Sequence, residues 1–245
     1  MNVALKGKVA LVTGAGVRLG RAIAEGLAAQ GCDLLLHCNR SKREAQAQAR
    51  KIEALGRRAK VLQADLSKQK QVERLAREAE KAFGGVDILV NSAAIFWPTP
   101  LQKLNARELD IFLDINLKSP YLLSSIIGRQ MKKRGRGAII NMACVSALRP
   151  WRDFIPYSVS KAGVVALTVG MAKLLAPQVR VNAVAPGTVL PPEKMPRKQI
   201  DDIKRRLPLK KLGSPDDIVA AVIYLATAEF VTGQLLCVDG GRSVI

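Results

Sequence analysis

A glycine turn near the start of the chain is the feature that most limits its possible folds. The segment Thr13–Gly20 follows the apolar run Val9–Val12 and leads into an amphipathic segment, an order that predicts strand, turn and helix. Such a turn directs backbone N–H groups and the positive end of a helix at an anion, so it suits a pyrophosphate. Gly14 and Gly16 allow the angles of the turn, and Gly20 lets the helix approach the sheet. The spacing differs from G-x-G-x-x-G, and an ordinary strand-to-helix turn is an equal alternative.

Apolar runs alternate with longer segments of helical periodicity along the chain. The predicted strands are Val9–Val12, Asp33–His37, Ala59–Leu62, Val86–Val90, Ala138–Met142, Val179–Val184 and Leu235–Val238. The predicted helices are Arg18–Gln30, Lys42–Leu55, Lys68–Phe83, Asn105–Arg134, Pro156–Leu175 and Pro215–Ala226. This alternation predicts an α/β fold, a parallel sheet with helices on both faces. Without internal repeats or linkers, residues 1–245 are expected to form a single domain.

One long irregular stretch interrupts this pattern. It runs from Ala185 to about Arg197 and is rich in proline. A loop of that length in a compact domain usually serves as a lid or a substrate loop. We therefore predict a substrate loop at about residues 186–206, with a plain surface connection as the alternative.

The composition is that of an ordinary globular protein. Hydrophobic residues make up 49% and charged residues 24%, enough to bury a sizeable core. No apolar run approaches the roughly 20 residues that span a bilayer, and the first residues lack a signal-peptide pattern, so no membrane association is predicted. The cysteines lie far apart without a C-x-x-C pair, which favours reduced thiols of a cytoplasmic protein over disulfides or a metal site. They are Cys32, Cys38, Cys144 and Cys237.

The formal net charge of +19 raises the question of a nucleic-acid or membrane partner. Lysines and arginines are spread at helix-face spacing, and no aromatic residues are interleaved with the densest runs, Lys132–Arg136 and Lys204–Arg206. We therefore predict a soluble basic surface and no nucleic-acid partner. A basic face that attracts anionic ligands is the alternative.

The residues after the second predicted strand indicate which dinucleotide binds. Ligands of open parallel sheets bind at the carboxyl ends of the strands, where an NAD site places an acid to hold the ribose 2′-hydroxyl. This chain instead has Arg40 and Ser41, with Arg18 in the glycine turn. A guanidinium suits a 2′-phosphate, so NADPH is favoured over NADH, unless Arg40 only lies at a solvated helix start. His37 is predicted to be a half-buried strand residue rather than a catalytic group.

Two further strand ends carry candidate contacts. Asp65, after the third strand, is placed either to receive an adenine amino group or to cap the next helix. After the fourth strand, the small residues Ser92–Ala94 let a flat cofactor pass close to the backbone. Phe96 and Trp97 follow in a proline-rich loop of a chain with only 4% aromatic residues. They either stack on a planar substrate or pack the loop onto the core, and the sequence leaves both open.

The segment Tyr157–Lys161 is the candidate for proton transfer. Tyr157 and Lys161 are four residues apart and so share one face of a predicted helix. A nearby ammonium favours the phenolate, so we expect Lys161 to lower the pKa of Tyr157 towards neutral pH. A tyrosine tuned in this way passes a proton to an oxygen or nitrogen while a nicotinamide delivers a hydride.

Taken together, these segments resemble the short-chain dehydrogenase/reductase family. The likeness rests on Thr13-Gly14…Gly20, Asn91-Ser92-Ala93, Asn116, Tyr157…Lys161 and Pro186-Gly187, in this order, and covers essentially the whole chain. It implies a Rossmann-type, doubly wound, three-layer domain with a seven-stranded parallel sheet, a nicotinamide cofactor and commonly a homotetramer. It also implies that Tyr157 donates the proton, that Lys161 supports it and holds the ribose, and that Asn116 holds a water of the proton relay.

Within that family the chain is most similar to the pteridine reductases. Three features carry this likeness: Arg18 in a T-G-x-x-x-R-L-G turn, the pattern His37…Arg40-Ser41, and the run Phe96–Leu101. By this resemblance Phe96 stacks on a pterin ring, and Arg18 touches both the pyrophosphate and the substrate. The implied activity is hydride transfer from NADPH to a small planar substrate, either a dihydropteridine or a conjugated carbonyl compound.

One position departs from the family pattern. Cys144 stands thirteen residues before Tyr157, where the family usually has Ser and pteridine reductases often have Asp. A thiol is a weak hydrogen-bonding group, so it orients a substrate less well than a hydroxyl. Ser146 is a possible substitute, and Cys144 is alternatively only a packing residue.

The predicted catalytic residues are Tyr157, Lys161, Asn116 and Cys144, and the predicted substrate contacts are Arg18, Phe96, Trp97 and Tyr157. The predicted NADPH/NADP⁺ contacts include Tyr157 and Lys161. The other predicted contacts are Gly14, Gly16, Val17, Arg18, Leu19, Gly20, Asn39, Arg40, Ser41, Asp65, Leu66, Asn91, Ser92, Ala93, Pro186, Gly187, Thr188 and Val189. Two alternatives stay open: a 3-ketoacyl-carrier-protein or other carbonyl reductase, whose acidic carrier protein the basic surface would attract, and a catalytically silent NADP(H)-binding sensor.

Overall fold

A parallel sheet with the strand order β3-β2-β1-β4-β5-β6-β7 organises the molecule. The computed structural model describes residues 5–192 and 195–245. The strands are β1 (Val9–Val12), β2 (Asp33–Cys38), β3 (Ala59–Gln63), β4 (Ile88–Asn91), β5 (Gly137–Met142), β6 (Val179–Pro186) and β7 (Leu235–Val238). All neighbouring strands are parallel. The predicted doubly wound α/β fold with seven strands is therefore confirmed.

Helices connect the strands and cover both faces of the sheet. They are α1 (Arg18–Ala29), α2 (Lys42–Ala54), α3 (Gln69–Lys81), α4 (Ala106–Leu113), α5 (Ser119–Lys133), α6 (Ile155–Leu175), α7 (Arg197–Arg206) and α8 (Pro215–Thr227). Helices α1, α2 and α8 pack on one face, and α3, α5 and α6 pack on the other.

Successive side chains of a strand point to opposite faces of the sheet, which explains the two layers. In β1, Ala10 and Val12 face the layer of α1 and α8, whereas Val9 and Leu11 face the layer of α3 and α5. Since both faces are covered, the central strands β1 and β4 are buried along their whole length. The edge strands β3 and β7 are partly exposed. Each fully buried aliphatic side chain stabilises the fold by about 1.5–3 kcal/mol.

Two predicted elements differ from the structure. The helix predicted over Asn105–Arg134 is divided, because a π-helical turn at Asp114–Lys118 separates α4 from α5. The wider turn places Asn116 in the interior, where it is fully buried. The predicted substrate loop at 186–206 is also shorter than expected, since α7 occupies its second half. Glu193 and Lys194 of that loop lie outside the described residues.

Helix α6 differs from the expectation that no segment is long and apolar enough to span a membrane. It is 21 residues long with a mean hydropathy of 1.4 in its most apolar window, so by length and composition it is apolar enough to cross a membrane. The helix is not an unbroken apolar run, because polar residues such as Ser158 and Lys161 interrupt it. Those two side chains are buried, and α6 packs against β6, α5 and α4, which is the position of a core helix.

Candidate active site

The glycine turn after β1 is fixed by a buried histidine at the end of β2. The Gly14 N–H donates to His37 Nδ1 at 3.1 Å, and His37 Nε2 donates to the Ala64 carbonyl at 3.0 Å after β3. His37 is only 2% exposed, more deeply buried than expected, and burial lowers its pKa to about 4. The neutral ring thus joins three neighbouring strand ends. The sequence analysis missed this positioning role, although His37 is the only histidine of the chain.

The glycines of the turn allow close approaches that a side chain would block. Gly14 has a φ of +69°, and a Cβ there would lie 3.0 Å from the Cα of Ala93 after β4. A Cβ on Gly16 would lie 2.6 Å from Ser41 Oγ after β2, and one on Gly20 would lie 2.3 Å from the Gly14 carbonyl oxygen. The predicted phosphate turn therefore touches both neighbouring strand ends that were predicted to contact the dinucleotide.

Thr13 joins the turn to the end of β4. Its Oγ1 accepts hydrogen bonds from the backbone N–H groups of Ser92 and Ala93, both at 2.9 Å. Strands β1 and β4 are neighbours at the point where the strand order reverses. A crevice for a ligand opens at this position in doubly wound sheets.

Arginines border this crevice. Arg18 begins α1 with a φ of +50°, an unusual backbone angle for a residue other than glycine, and its guanidinium donates to the Leu190 carbonyl at 2.6 Å. Arg40 is exposed at the end of β2 beside Ser41. Neither arginine forms an ion pair within residues 5–192 and 195–245. Both charges are therefore available to an anionic ligand.

Asp65 after β3 forms a local turn rather than a helix cap. Its Oδ1 accepts from the backbone N–H and the hydroxyl of Ser67, at 3.0 and 2.8 Å, whereas α3 begins at Gln69 and its N-cap residue, Lys68, forms no side-chain cap. The contact of Asp65 with an adenine amino group stays a prediction. Leu66, a predicted cofactor contact, is only 5% exposed and belongs to the core that packs against α3.

Lys161 is enclosed beside the end of β5. Its Nζ donates to the Met142 carbonyl at 2.7 Å and lies 5.8 Å from the centroid of the Tyr157 ring. Burial lowers the pKa of Lys161 to about 8. An ammonium has three donors, and one of them is used by Met142. The two others remain for a bound hydroxyl-bearing group.

The pKa of Tyr157 is raised, not lowered as expected. Burial raises it well above its ordinary value, the neighbouring Cys144 raises it further, and this outweighs the lowering expected from the Lys161 ammonium. Desolvation dominates because the ring is only 9% exposed and the ammonium is directed at Met142 rather than at the phenol. Tyr157 is therefore a neutral phenol, the form that donates a proton.

Asn116 ties the aromatic loop after β4 to helix α6. Its Oδ1 accepts from the Ile95 N–H at 2.9 Å, and its Nδ2 donates to the Ile95 carbonyl and to Ser160 Oγ, both at 3.1 Å. Ser160 Oγ in turn donates to the Tyr157 carbonyl at 2.7 Å. The side chain thus positions the neighbourhood of Tyr157, whereas the predicted relay water is not tested by these contacts.

Cys144 lies directly beside the phenol of Tyr157 and is 7% exposed. Its Sγ accepts from the Ser146 N–H at 3.5 Å. Ser146 is fully buried, and its hydroxyl has no hydrogen-bond partner within the described part of the chain. Cys144 thus packs in the same buried cluster as Tyr157, whereas the Ser146 hydroxyl forms no hydrogen bond to Tyr157.

Scarce aromatic side chains gather around Tyr157. The Phe96 ring is stacked on Phe154 with centroids 4.7 Å apart and lies edge-on to Tyr157 at 4.8 Å. Trp151 is 6.5 Å from Tyr157. Trp151 and Phe154 are not among the predicted site residues. Two aromatic residues shortly before Tyr157, in a chain with 4% aromatic residues, could have indicated an aromatic cluster there.

The two members of the predicted aromatic pair have different surroundings. Phe96 is 45% exposed at the site, whereas Trp97 packs on Phe112 at 4.7 Å and donates from Nε1 to Glu108 at 3.1 Å. For Trp97 the geometry favours the packing alternative. The Thr99 N–H also donates to the carbonyl of Asp153 at 2.6 Å, so the loop is held against the segment that carries Trp151.

The segment after β6 completes the crevice. The Gly187 N–H donates to the Val238 carbonyl at 2.9 Å, and a Cβ on Gly187 would lie 2.6 Å from Asp239 Cα. Thr188 Oγ1 accepts from Arg242 at 2.7 Å. The predicted contacts in Pro186–Val189 are therefore at the same sheet edge as the glycine turn.

Comparisons with known proteins extend over the whole fold. A family model described as enoyl-(acyl carrier protein) reductase matches residues 14–243. The chain is 36% identical to 3beta-hydroxysteroid dehydrogenase 1 of Eggerthella lenta, over 98% of this chain and 95% of that protein. It is also 36% identical to 3-oxoacyl-[acyl-carrier-protein] reductase FabG of Staphylococcus epidermidis, over 96% and 98%. The solved structure of FolM alternative dihydrofolate reductase 1 from Brucella canis, complexed with NADP, has a TM-score of 0.93 at 31% identity and covers 99% of this chain and 96% of that chain.

Proposed function

Since the chain belongs to the short-chain dehydrogenase/reductase family, we propose that it is an NADPH-dependent reductase of a small planar substrate of the pteridine type. The family membership makes it an NAD(P)-dependent oxidoreductase. The pteridine-type substrate is the finer step. It is supported by the aromatic wall beside Tyr157 and by the likeness to a structure named as an alternative dihydrofolate reductase.

The cofactor is NADPH/NADP⁺, and the residues of the crevice fit it. When bound, NADPH supplies the hydride of the reduction. The glycine turn leaves backbone N–H groups and the start of α1 for the pyrophosphate, in a cradle that a Cβ on Gly16 would fill. Arg40, Ser41 and Arg18 would hold the 2′-phosphate, and the free donors of Lys161 would hold ribose hydroxyls.

The observation that carries the proposal is the position of Phe96. Its ring is half exposed, is supported from behind by Phe154 and meets the phenol of Tyr157 edge-on at 4.8 Å. A flat aromatic substrate stacked on such a ring gains apolar burial and favourable ring geometry. It would then present a ring atom to the proton donor.

Tyr157 is the proposed proton donor for that reduction. The phenol is protonated at neutral pH, the form that can donate to a substrate nitrogen or oxygen, and burial raises its pKa further. Lys161 contributes a buried ammonium that stabilises negative charge on the phenol oxygen as the proton leaves. Cys144 packs beside Tyr157 in the same buried cluster and offers only a weak hydrogen-bonding group there.

A second candidate is reduction of a 3-oxoacyl group on an acyl carrier protein. The relative named FabG favours it, and the net charge of +19 would attract an acidic carrier protein. An acyl chain has no planar ring, so this function gives no role to the exposed face of Phe96. The third candidate, a silent NADP(H)-binding sensor, gives no role to the enclosed pair Tyr157 and Lys161.

A substrate panel separates these functions. NADPH oxidation is measured with 7,8-dihydrobiopterin, 7,8-dihydrofolate, a quinone, a ketone and acetoacetyl-carrier protein. The proposal predicts turnover with a dihydropteridine and little with the acyl substrate. The reverse order supports the second candidate, and tight NADPH binding without any turnover supports the sensor.

Localisation and assembly are proposed on the same family likeness. We expect a cytoplasmic protein with reduced cysteines and a homotetramer in solution. The half-exposed edge strand β7 and the fully exposed Phe230 leave apolar surface for association. Light scattering coupled to size exclusion tests the assembly.

A further inference from the structure

A cavity of about 480 Å³ adjoins the aromatic site, and three arginines line it. We call it the arginine cavity; its cationic residues are Arg149, Arg206 and Arg242. Trp151 is the wall that the cavity shares with the active site, since its ring lies 6.5 Å from that of Tyr157. The volume falls within the range of about 300–1,000 Å³ that small-molecule sites occupy.

The three arginines of the cavity outnumber the acidic side chains near them. Two acidic side chains lie nearby: Asp202 in the lining, which already forms an ion pair with Arg205 on the same helix, and Asp239, which interacts electrostatically with Arg242. None of the three cavity arginines forms an ion pair with another residue in 5–192 or 195–245. Guanidinium groups that face one space without a carboxylate partner suit an anion.

Two of the cavity arginines are held in place by neutral groups. The Arg242 guanidinium lies over the Trp151 ring at 4.7 Å and donates to Thr188 Oγ1 at 2.7 Å. Arg149 Nε donates to the Ser243 carbonyl at 3.4 Å. Burial lowers the pKa of Arg242, which marks the partial loss of water around its charge. Arg242 is therefore a partly desolvated cation with a fixed orientation, and the Trp151 ring lies between it and Tyr157.

Helix α7 forms the remaining wall of the cavity and contains a basic run that has no role in the proposed function. The basic run Lys204–Arg206 lies at the end of α7, and Arg206 from this run lines the cavity. Ile203 and Leu207 line it too, so the cavity combines an apolar floor with cationic groups. That combination fits a ligand with an aromatic or aliphatic spacer that ends in an anion.

We propose that the arginine cavity binds a carboxylate-bearing substituent of the substrate whose planar ring lies on Phe96. The inference rests on the proposed function, because it extends the same substrate past Trp151 to Arg242 and Arg206. It narrows the substrate class to planar bicyclic rings that carry an anionic tail.

Two substrates that differ in their carboxylate-bearing substituent test its binding in the arginine cavity directly. The initial rate of NADPH oxidation is measured with 7,8-dihydrofolate, which carries carboxylates, and with 7,8-dihydrobiopterin, which has none. The KM for dihydrofolate is expected to be about ten- to a hundred-fold lower, the range of a charge-assisted contact. Raising the salt concentration from 50 to 500 mM should increase the KM for dihydrofolate and leave that for dihydrobiopterin nearly constant.

Three variants locate the effect. Arg206→Gln is the main variant, because Arg206 is exposed and has no contact with Thr188, and Arg242→Gln is the second. Each should raise the KM for dihydrofolate about tenfold or more. In Arg206→Gln, kcat and the KM for dihydrobiopterin should change less than about twofold. Arg197→Gln removes the same charge from α7 outside the cavity and should change neither KM.

A binding experiment keeps the inference separate from the proposed function. Calorimetry with NADP⁺-loaded protein compares folate with biopterin, so it needs no turnover. Folate binding that is tighter and is weakened by Arg206→Gln supports the cavity even if neither ring is reduced. Turnover of both rings with equal KM values, or a preference for folate that survives both variants, overturns the inference and leaves the reductase function standing. No binding of folate overturns it outright.

Discussion

Phe96 meets Tyr157 edge-on, with their ring centroids 4.8 Å apart, at the exposed end of the active site. The contact joins the loop after β4 to helix α6, two segments that are far apart in the chain. Phe154 stacks on one face of Phe96 with centroids 4.7 Å apart, so the ring is held as a flat wall. A planar substrate placed on this wall would be adjacent to Tyr157, the proposed proton donor.

Replacing this wall should weaken the substrate complex specifically. Phe96→Ala is expected to raise the KM for a dihydropteridine about tenfold, because it removes a stacked ring worth about 0.5–1.5 kcal/mol beyond its buried area. The Kd of NADPH should stay unchanged. Trp97→Phe is the matched control, since Trp97 packs on Phe112 and its replacement keeps a ring there. Equal effects of both variants in steady-state kinetics would contradict the assignment of Phe96.

Arg40 should determine the choice of dinucleotide. Arg40→Ala removes a charge-assisted contact to the 2′-phosphate, so the KM for NADPH should rise about ten- to a hundred-fold while that for NADH stays constant. Arg43→Ala removes a neighbouring exposed charge on α2 and should have little effect. Steady-state kinetics with both dinucleotides make the comparison. An unchanged ratio of the two KM values in Arg40→Ala would remove Arg40 from the site.

Cys144 should be a weaker partner for substrate and phenol than a hydroxyl. Cys144→Ser is expected to raise kcat about two- to tenfold, because a hydroxyl forms stronger hydrogen bonds than a thiol. Cys144→Ala should lower kcat below that of the natural chain. Single-turnover rates at saturating NADPH measure both. A loss of rate in both variants would assign a role to the sulfur itself.

Stability between pH 7 and pH 5 should depend on His37. Burial lowers its pKa to about 4 in the folded state, from the ordinary histidine value of 6.5, so the unfolded chain binds more protons between those values. The contribution is complete above about pH 6.5 and is lost as the pH falls towards about 4. The free energy of unfolding should therefore fall by about 2 kcal/mol between pH 7 and pH 5 relative to His37→Asn, which keeps an acceptor for Gly14 but does not titrate. Parallel pH dependences in urea unfolding would exclude His37 as the cause.

Local pattern predicts the sheet of this protein well, because buried parallel strands are continuous apolar runs. All seven strands lie at the predicted runs with small shifts of their ends. Helix α7 was missed because it has only two apolar residues, Ile200 and Ile203, and follows Pro196 in a proline-rich stretch. The π-helical turn at Asp114–Lys118 was missed because local periodicity does not register one widened turn.

The spacing of Tyr157 and Lys161 predicts that they share one face of a helix, and both lie on α6. The direction of the Tyr157 pKa shift was not predictable from spacing, because it depends on burial by other segments. The ring of Trp151 serves both the active site and Arg242, a contact that only the folded chain creates.

The most direct test of the account is NADPH oxidation by the natural chain and by Tyr157→Phe with 7,8-dihydrobiopterin as substrate. We expect turnover by the natural chain and a kcat lower by about 10²–10⁴ in the variant, the usual contribution of a positioned acid. The Kd of NADPH should stay within about twofold, since the phenyl ring keeps its packing. Equal kcat values in the two proteins, or tight NADPH binding by the natural chain with no oxidation on any planar substrate, would contradict the account.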